Sequence, residues 1–521
     1  MQARLVSTAR VLGWIALCVG GAVGGAAVSA AARLEPVEIV VPMSAALAVA
    51  VAFALRPAVG IGAFLLLTLT ALTIQHWLDI DLRYFDEISV ALLVVLSAAL
   101  NRSRIVRLRP GWKEVALGVA GGAGVVSSLA SGVPADIWLP GLFLLVKGVA
   151  FFYAVSWLRL DVADVDRVGA VMLVVAGVIL GLGFAEVLNP NAIQQALGLP
   201  LQQEIRFVIV DERGVTGISV AKSVFLHAAL FGWFTAYVSL FLYARFLVLR
   251  EWWALGAALI LNIGTLLSAR RRPVIGVLAA LGVGAVWSWS QRTSWRAMLR
   301  TVAPVAVALL VLAVVTAPVL SGFYARTVEE YLGAGNLGEI LSPDPDPVAI
   351  AGTHPRMALY VGSIAIARDF FPLGAGLGRF GSYMSEVNYS PLYDRYGLVR
   401  VYGLGPQNPL AITDTFWPMV LGELGPIGLA GMAAFLGLLL HRLWTVTSRT
   451  SSQALRALAL GSLFVFVEGL VGSLTAATYV APPIAYFIFA TAGAVWAVAR
   501  SEAHSLGGGS GDRAEARRPA S

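Results

Sequence analysis

Three consecutive arginines, Arg270, Arg271 and Arg272, interrupt an otherwise apolar stretch that reads LLSARRRPVIGVLAALG. A guanidinium group is planar, keeps its charge at physiological pH and donates two parallel hydrogen bonds to phosphate or carboxylate oxygens. Three of them side by side suit a multiply charged anion such as a diphosphate. Arg356, in HPRMALYVGSIAIARDFF, stands at the head of an expected helix, where unpaired backbone N–H groups add to the attraction for an anion. Arg206 and Arg213 lie in IRFVIVDERGVTG. Any one of the single arginines has an acid such as Asp211, Glu212 or Asp369 as an alternative partner. Asp414, just before TFWPMVLGELGPIGL, has two readings: a helix N-cap, or a general base that takes a proton from an attacking hydroxyl. His354, two residues before Arg356, is the competing base.

Other motifs carry less. The run PLGAGLGRFGS lacks the Gly-Lys-Ser/Thr ending of a nucleotide phosphate loop and follows a helix rather than a strand, so it reads as a tight turn with positive φ angles. Glu423 reads as a structural acid bonding between helices, and Glu186, Glu468 and Lys147 as buried interhelical partners. Five scattered histidines and the single cysteine, Cys18, form no metal-ligand spacing and allow no intrachain disulfide. Neither a metal nor another cofactor is expected, and no nucleic-acid partner.

The elements that must position these residues are set by hydrophobicity. Of 521 residues 58% are hydrophobic and 13% charged, so most of the chain is matched to hydrocarbon rather than water. A span takes roughly 20 apolar residues, which predicts about fourteen, centred near residues 21, 47, 66, 93, 122, 148, 177, 231, 259, 282, 310, 429, 467 and 491. The fold class is therefore an all-α integral membrane protein. Its parts are spans within 1–321, a large partly helical external loop over 322–414 carrying part of the site, spans within 415–500, and a disordered tail over 501–521. The first apolar segment reads as a retained span rather than a cleaved leader.

Short cytoplasmic loops are enriched in Lys and Arg. With both termini in the cytoplasm, every alternate loop is basic, as in NRSRIVRLRPGWK. The exception is the triplet 270–272, which this register places in a tight turn on the outer face. Charge held at a membrane boundary against the orientation bias is expensive unless it meets a partner, which makes the triplet a functional-site candidate; the alternative is that a span is miscounted and the arginines are an ordinary cytoplasmic stop signal. The long outer loop holds six arginines, nine acidic residues and no lysine. Within it, apolar residues at helical spacing (Met357, Tyr360, Val361, Ile364, Ala367) predict a helix between Pro355 and Pro372.

Together these features resemble the O-antigen ligase and O-antigen polymerase (Wzy-type) family of bacterial membrane glycosyltransferases. The resemblance rests on LLSARRRPVIG at the outer end of a span, on RMALYVGSIAIARDFFPLGAGLGRFGS opening the long loop, and on the re-entry segment DTFWPMVLGELGPIG. ERGVTGIS matches more weakly, and the whole covers roughly residues 213–440. It implies a GT-C-like helical fold in a bacterial inner membrane. The donor it implies is a glycan on undecaprenyl diphosphate, and the acceptor a sugar hydroxyl that attacks with inversion and without metal. Partners beyond the lipid bilayer would be a chain-length regulator or a flippase. Arg271 or a neighbour in the triplet, Arg356 and Arg213 match the diphosphate-holding positions. Where family ligases carry a histidine base followed by asparagine, this chain has Asp414 and Thr415, which leans towards a polymerase. Two other classes compete. A transporter or flippase for an anionic lipid would use the arginines along a path, but the sequence lacks the internal repeat usual there. A non-catalytic export scaffold would have no use for arginines held against the bias.

Overall fold

A computed structural model of the chain describes residues 36–82, 84–102, 111–200, 205–211, 214–291, 303 and 355–515. The expected spans near 21 and 310, the first part of the long loop, and two candidate site residues, Arg213 and His354, lie outside the described residues. The helices are α1 Pro36–Leu55, α2 Pro57–Leu78, α3 Phe85–Leu100, α4 Trp112–Ala130, α5 Ala135–Ser156, α6 Val162–Leu188 and α7 Pro190–Ala196. After a hairpin of β1 Ile205–Asp211 and β2 Gly214–Ser219 come α8 Ala228–Leu249, α9 Trp252–Leu267 and α10 Arg271–Ser290. The remainder is α11 Pro355–Asp369, α12 Tyr383–Val387, α13 Leu392–Arg395, α14 Trp417–Arg449, α15 Gln453–Ser473 and α16 Ile484–Glu515.

Eight of the described helices are long and apolar enough to cross a membrane: α2, α5, α6, α8, α10, α14, α15 and the Ile484–Ala503 part of α16. Val40–Leu55 and α9 are apolar but shorter. This is a multi-pass α-helical membrane protein. One feature departs from an all-α architecture: the antiparallel hairpin β1–β2, which pairs Asp211 with Gly214 at its tip. Its β-branched run, IRFVIVD, favours strand locally.

Local signals place the ends. Proline opens α1, α2, α7 and α11, where its missing N–H would have had no helical partner. Asp161 caps α6 by accepting the Asp164 N–H at 2.7 Å. Asp79 and Arg250 close α2 and α8 in the left-handed region, with φ of 49° and 63°. α16 continues to Glu515, so the backbone is helical over most of the segment expected as a disordered tail.

α8 is the central helix. In its most apolar window 78% of residues are buried, against 28% in α6, whose Val171, Val174 and Val178 stay exposed. α8 packs along α9 and α15, α10 along α15, α4 along α14, and α5 along α16. The Ala221 N–H reaches Leu267 O, and Tyr360 of α11 and Trp417 of α14 both reach the C-terminal end of α15, along which α10 packs, so the α9–α10 turn, the chain just after the hairpin, α11 and the start of α14 share one end, here the loop end. At the opposite end Trp112, Trp252, Trp253 and Trp289 are exposed, as tryptophans are where hydrocarbon gives way to water.

Three helices are joined by a buried charge cluster. The Lys147 ammonium of α5, 3% exposed, donates to Asp86 Oδ2 at 2.7 Å and to Glu87 Oε1 at 2.6 Å at the head of α3. The Tyr486 hydroxyl of α16 donates to the same Asp86 oxygen at 2.6 Å. Lys147 is thus an interhelical partner, as its apolar context suggested.

Candidate functional site

The arginine triplet forms a clamped turn. α9 ends at Leu267, Ala269 takes a left-handed conformation (φ 50°), and Arg270 is the extended N-cap residue of α10. The Ser268 hydroxyl accepts the Arg270 N–H at 3.3 Å and donates to Thr265 O at 2.6 Å. The Ala221 N–H, just after the hairpin, donates to Leu267 O at 3.1 Å. Left-handed geometry at a non-glycine residue costs on the order of 1 kcal/mol, so these bonds hold a turn that local preference opposes. Arg271 and Arg272 then occupy the first turn of α10, whose dipole already puts positive charge there. Cations at that position are unfavourable unless negative charge is near. All three arginines engage partners in the folded chain. Arg272 lies within electrostatic reach of the buried Glu468 side chain of α15. α15 approaches so closely there that a Cβ on Gly276, one turn past Arg272, would lie 2.4 Å from Glu468 Cγ.

The second part of the site joins two residues 58 apart in sequence. Arg356, in the first turn of α11, donates from Nε at 3.1 Å and from Nη2 at 2.7 Å to Asp414 Oδ2. Both donors use one oxygen, so Oδ1 of Asp414 accepts from no protein group among the described residues. The side chains are 21% and 35% exposed, which leaves the pair open to solutes. Of the two readings of Asp414, the helix cap is set aside: the N-cap residue of α14 is Phe416, which makes no side-chain cap bond. Among the described residues Arg356 pairs with Asp414, while Asp369 accepts from Tyr396 and forms an ion pair with Arg395.

Both parts border the C-terminal end of α15. The Tyr360 hydroxyl, one turn along α11 from Arg356, donates to Leu474 O at 2.8 Å, and burial pushes its phenol up to about 12, so it remains a neutral donor. The Trp417 indole donates to Ser473 Oγ at 2.8 Å. α11 and α14 thus clasp this helix end on one side, and α10 lies along α15 on another.

Beneath them the glycine run is a turn locked onto α14. Gly376, Gly378 and Gly381 have φ of 98°, 79° and 71°. α14 breaks at Gly425 (φ 70°), and there the two backbones touch: a Cβ on Gly374 would lie 2.4 Å from the Glu423 carbonyl carbon, and one on Gly425 would lie 2.4 Å from that of Leu373. Ala375 and Gly376 donate to the carbonyls of Gly422 and Glu423, which the break in α14 leaves available. The Glu423 carboxylate accepts the Phe380 N–H at 3.0 Å and the Ser382 hydroxyl at 2.6 Å. Ser128 accepts the Leu377 N–H at 2.9 Å, and Ser127 donates to Gly374 O. Glu423 therefore latches the loop instead of bridging two spans, and the loop's amides face this acid rather than a phosphate. Sequence reading missed both serines, although SS inside the apolar α4 is the signal that could have found them.

Of the apolar stripe expected on α11, Val361 and Ala367 are buried and Met357 and Tyr360 half-buried, but the buried face is shifted away from Ile364. Ala358, Leu359, Gly362 and Ile366 face inward, while Ile364 is exposed, because Phe380 and Leu398 pack on Gly362. Glu186 accepts from Gln194 and from the Lys222 and Ser223 amides at 2.6–2.9 Å, tying α6 to the segment that leads into α8. A cavity of about 570 Å³ lies away from the arginines, lined by Leu65, Leu173, Phe241 and Ala494. Its charged neighbour Arg245 is engaged by Glu251 and Asp166 at 2.8 and 2.9 Å. Among the described residues no three His, Cys, Asp or Glu side chains group as a metal site. No protein-family model and no curated protein matches this chain.

Proposed function

We propose that this chain is a membrane glycosyltransferase that polymerises or ligates glycans carried on undecaprenyl diphosphate during cell-surface polysaccharide synthesis. In this reading it works on the outer face of a bacterial inner membrane, in a bundle of about fourteen spans with both termini in the cytoplasm. The observation that supports it is the Arg356–Asp414 pair, whose Oδ1 accepts from no other group among the described residues, at the C-terminal end of α15, the helix along which α10 also packs. A base and a cationic anion holder are what such a transfer needs within one cleft.

The steps follow from those groups. An acceptor hydroxyl donates its hydrogen bond to Asp414 Oδ1 and attacks the anomeric carbon. The new C–O bond forms as the bond to the diphosphate oxygen breaks on the opposite face, so the centre inverts. The proton passes to Asp414, and the diphosphate leaves as an anion. Arg356 and the triplet 270–272 neutralise that charge as it develops, in a partly water-excluded setting where each donor is worth more than in bulk water. Arg356 holds Asp414 by one oxygen, fixing the direction of the other. Arg213 and His354 belong to the same expectation, the first as an additional diphosphate ligand and the second as the competing base.

The test uses membranes containing the full-length protein, a lipid-linked oligosaccharide donor and a gel readout of product. Arg271→Ala, Arg356→Ala and Asp414→Asn are each expected to lower the rate about 10²–10³-fold at unchanged protein level, as for loss of a charge-stabilising donor or base. Normal product from all three variants would end this reading. A cysteine at position 271 in a Cys18→Ser background checks the orientation: an impermeant thiol reagent is expected to label it on intact cells, and added undecaprenyl diphosphate to protect it.

A further inference from the structure

Among the described residues at the loop end, one half-buried arginine has no counter-charge. Arg379, in the turn GLGRFG, is half-buried, and its Nε is fully buried with no hydrogen-bond partner. Among the described residues no carboxylate closes an ion pair with its guanidinium. The neighbouring acid does not serve: Glu423 is occupied by the Phe380 amide and the Ser382 hydroxyl. By contrast Arg356 is held by Asp414, Arg395 by Asp369, and each arginine of the triplet by partners of its own.

The position of this group is dictated by the fold. Gly378 sits against Ile137 of α5, and Gly381 against Met419 of α14. The Phe380 ring fills the space beside Gly362 of α11 and Gly422 of α14. With both flanks packed and the amides latched to Glu423, the Arg379 backbone is rigid. A guanidinium carries five donors and no acceptor. Holding it half-buried on a rigid turn without an acceptor costs free energy, and an unsatisfied buried donor in a native protein calls for an explanation. Nε itself is closed to solvent, so it is the other donors of the guanidinium that an anion from solution can meet.

We infer that Arg379 is a further anion-binding residue of this site, taking a phosphate or carboxylate group of the glycan substrate. The inference rests on the proposed glycosyl transfer and adds a ligand that the arginine triplet and Arg356 do not include. The shared chemistry has two sources, the donor's diphosphate or an acidic sugar of the acceptor, and the test separates them.

The full chain in nanodiscs is titrated with undecaprenyl diphosphate and, separately, with an oligogalacturonate. Arg379→Gln removes the charge, Arg379→Lys keeps it without the fork, and Arg356→Ala serves as the reference. Loss of one charge-assisted contact is expected to weaken binding about tenfold in Arg379→Gln, with partial recovery in Arg379→Lys. Weakening for undecaprenyl diphosphate supports the inference with the donor as source; weakening for the oligogalacturonate alone supports it with the acceptor as source. Unchanged binding of both probes in Arg379→Gln, while Arg356→Ala weakens the diphosphate, overturns the inference and leaves the proposed function standing. Unchanged binding in every variant removes both. Thermal unfolding of each variant confirms that the folded protein is compared.

Discussion

Lys147→Met isolates the energetics of the charge cluster that joins α3, α5 and α16. The ammonium is 3% exposed and makes two charge-assisted bonds, 2.7 Å to Asp86 and 2.6 Å to Glu87. Methionine fills nearly the same volume, so the change removes charge and little packing. It leaves two carboxylates facing a common space that has lost its cation, with only the Tyr486 hydroxyl still donating to Asp86. Breaking a buried pair by removing one partner costs about 3–5 kcal/mol. The carboxylates are 13% and 23% exposed and keep some hydration, which places the expected loss near the lower end, about 3 kcal/mol. The same physics predicts rescue. Lys147→Met combined with Asp86→Asn and Glu87→Gln buries no net charge and should return to within about 1 kcal/mol of the wild type, since neutral replacements of a buried ion cluster are often tolerated. The assay is reversible unfolding in mixed micelles by denaturant titration, followed by tryptophan fluorescence. If the single variant is as stable as the wild type, or the triple variant no better than the single, the cluster does not carry the energy assigned to it.

Other outcomes follow from the loop end. Arg356→Ala should cost no more than about 1 kcal/mol of stability, because the pair is 21% and 35% exposed, whereas the proposed function expects a transfer rate about 10²–10³-fold lower; the same unfolding titration beside the product assay separates the two. Glu423→Gln turns an acceptor-only group into one that presents N–H to donors, so it should cost about 2 kcal/mol and unlatch the glycine turn, seen as faster proteolysis within 372–382. Gly425→Ala adds a methyl 2.4 Å from the Leu373 carbonyl carbon at a positive φ, and the folded fraction in size-exclusion chromatography should fall sharply. Ser127→Ala together with Ser128→Ala leaves the Leu377 amide without its acceptor and should weaken the same latch by about 1–2 kcal/mol, again read by proteolysis of the loop.

What the sequence determined by itself is the part governed by local physics. Among the described residues, apolar runs place helices near the expected centres, eight of them long enough to span, and proline and glycine mark where α11 begins and where the turn after it must bend. Lys147, far from water in any register, had to find acids. Long-range pairing was not legible. Asp414 reads equally well as a cap or a base until α11 brings Arg356 against it, because a carboxylate's role depends on which cation shares its space. Glu423 looks like a bond between spans until the break at Gly425 lets the glycine loop sit on α14 and aim its amides at the acid. Ile364 seemed an inward residue, yet the rotation of α11 is set by Phe380 and Leu398 packing on Gly362, residues 18 and 36 positions further along the chain. Helical period fixes which residues share a face; only the neighbours that dock on the helix decide which face is buried. The lack of a partner for Arg379 is likewise a property of the folded chain, since no sequence pattern tells which of many arginines has been left without an acid.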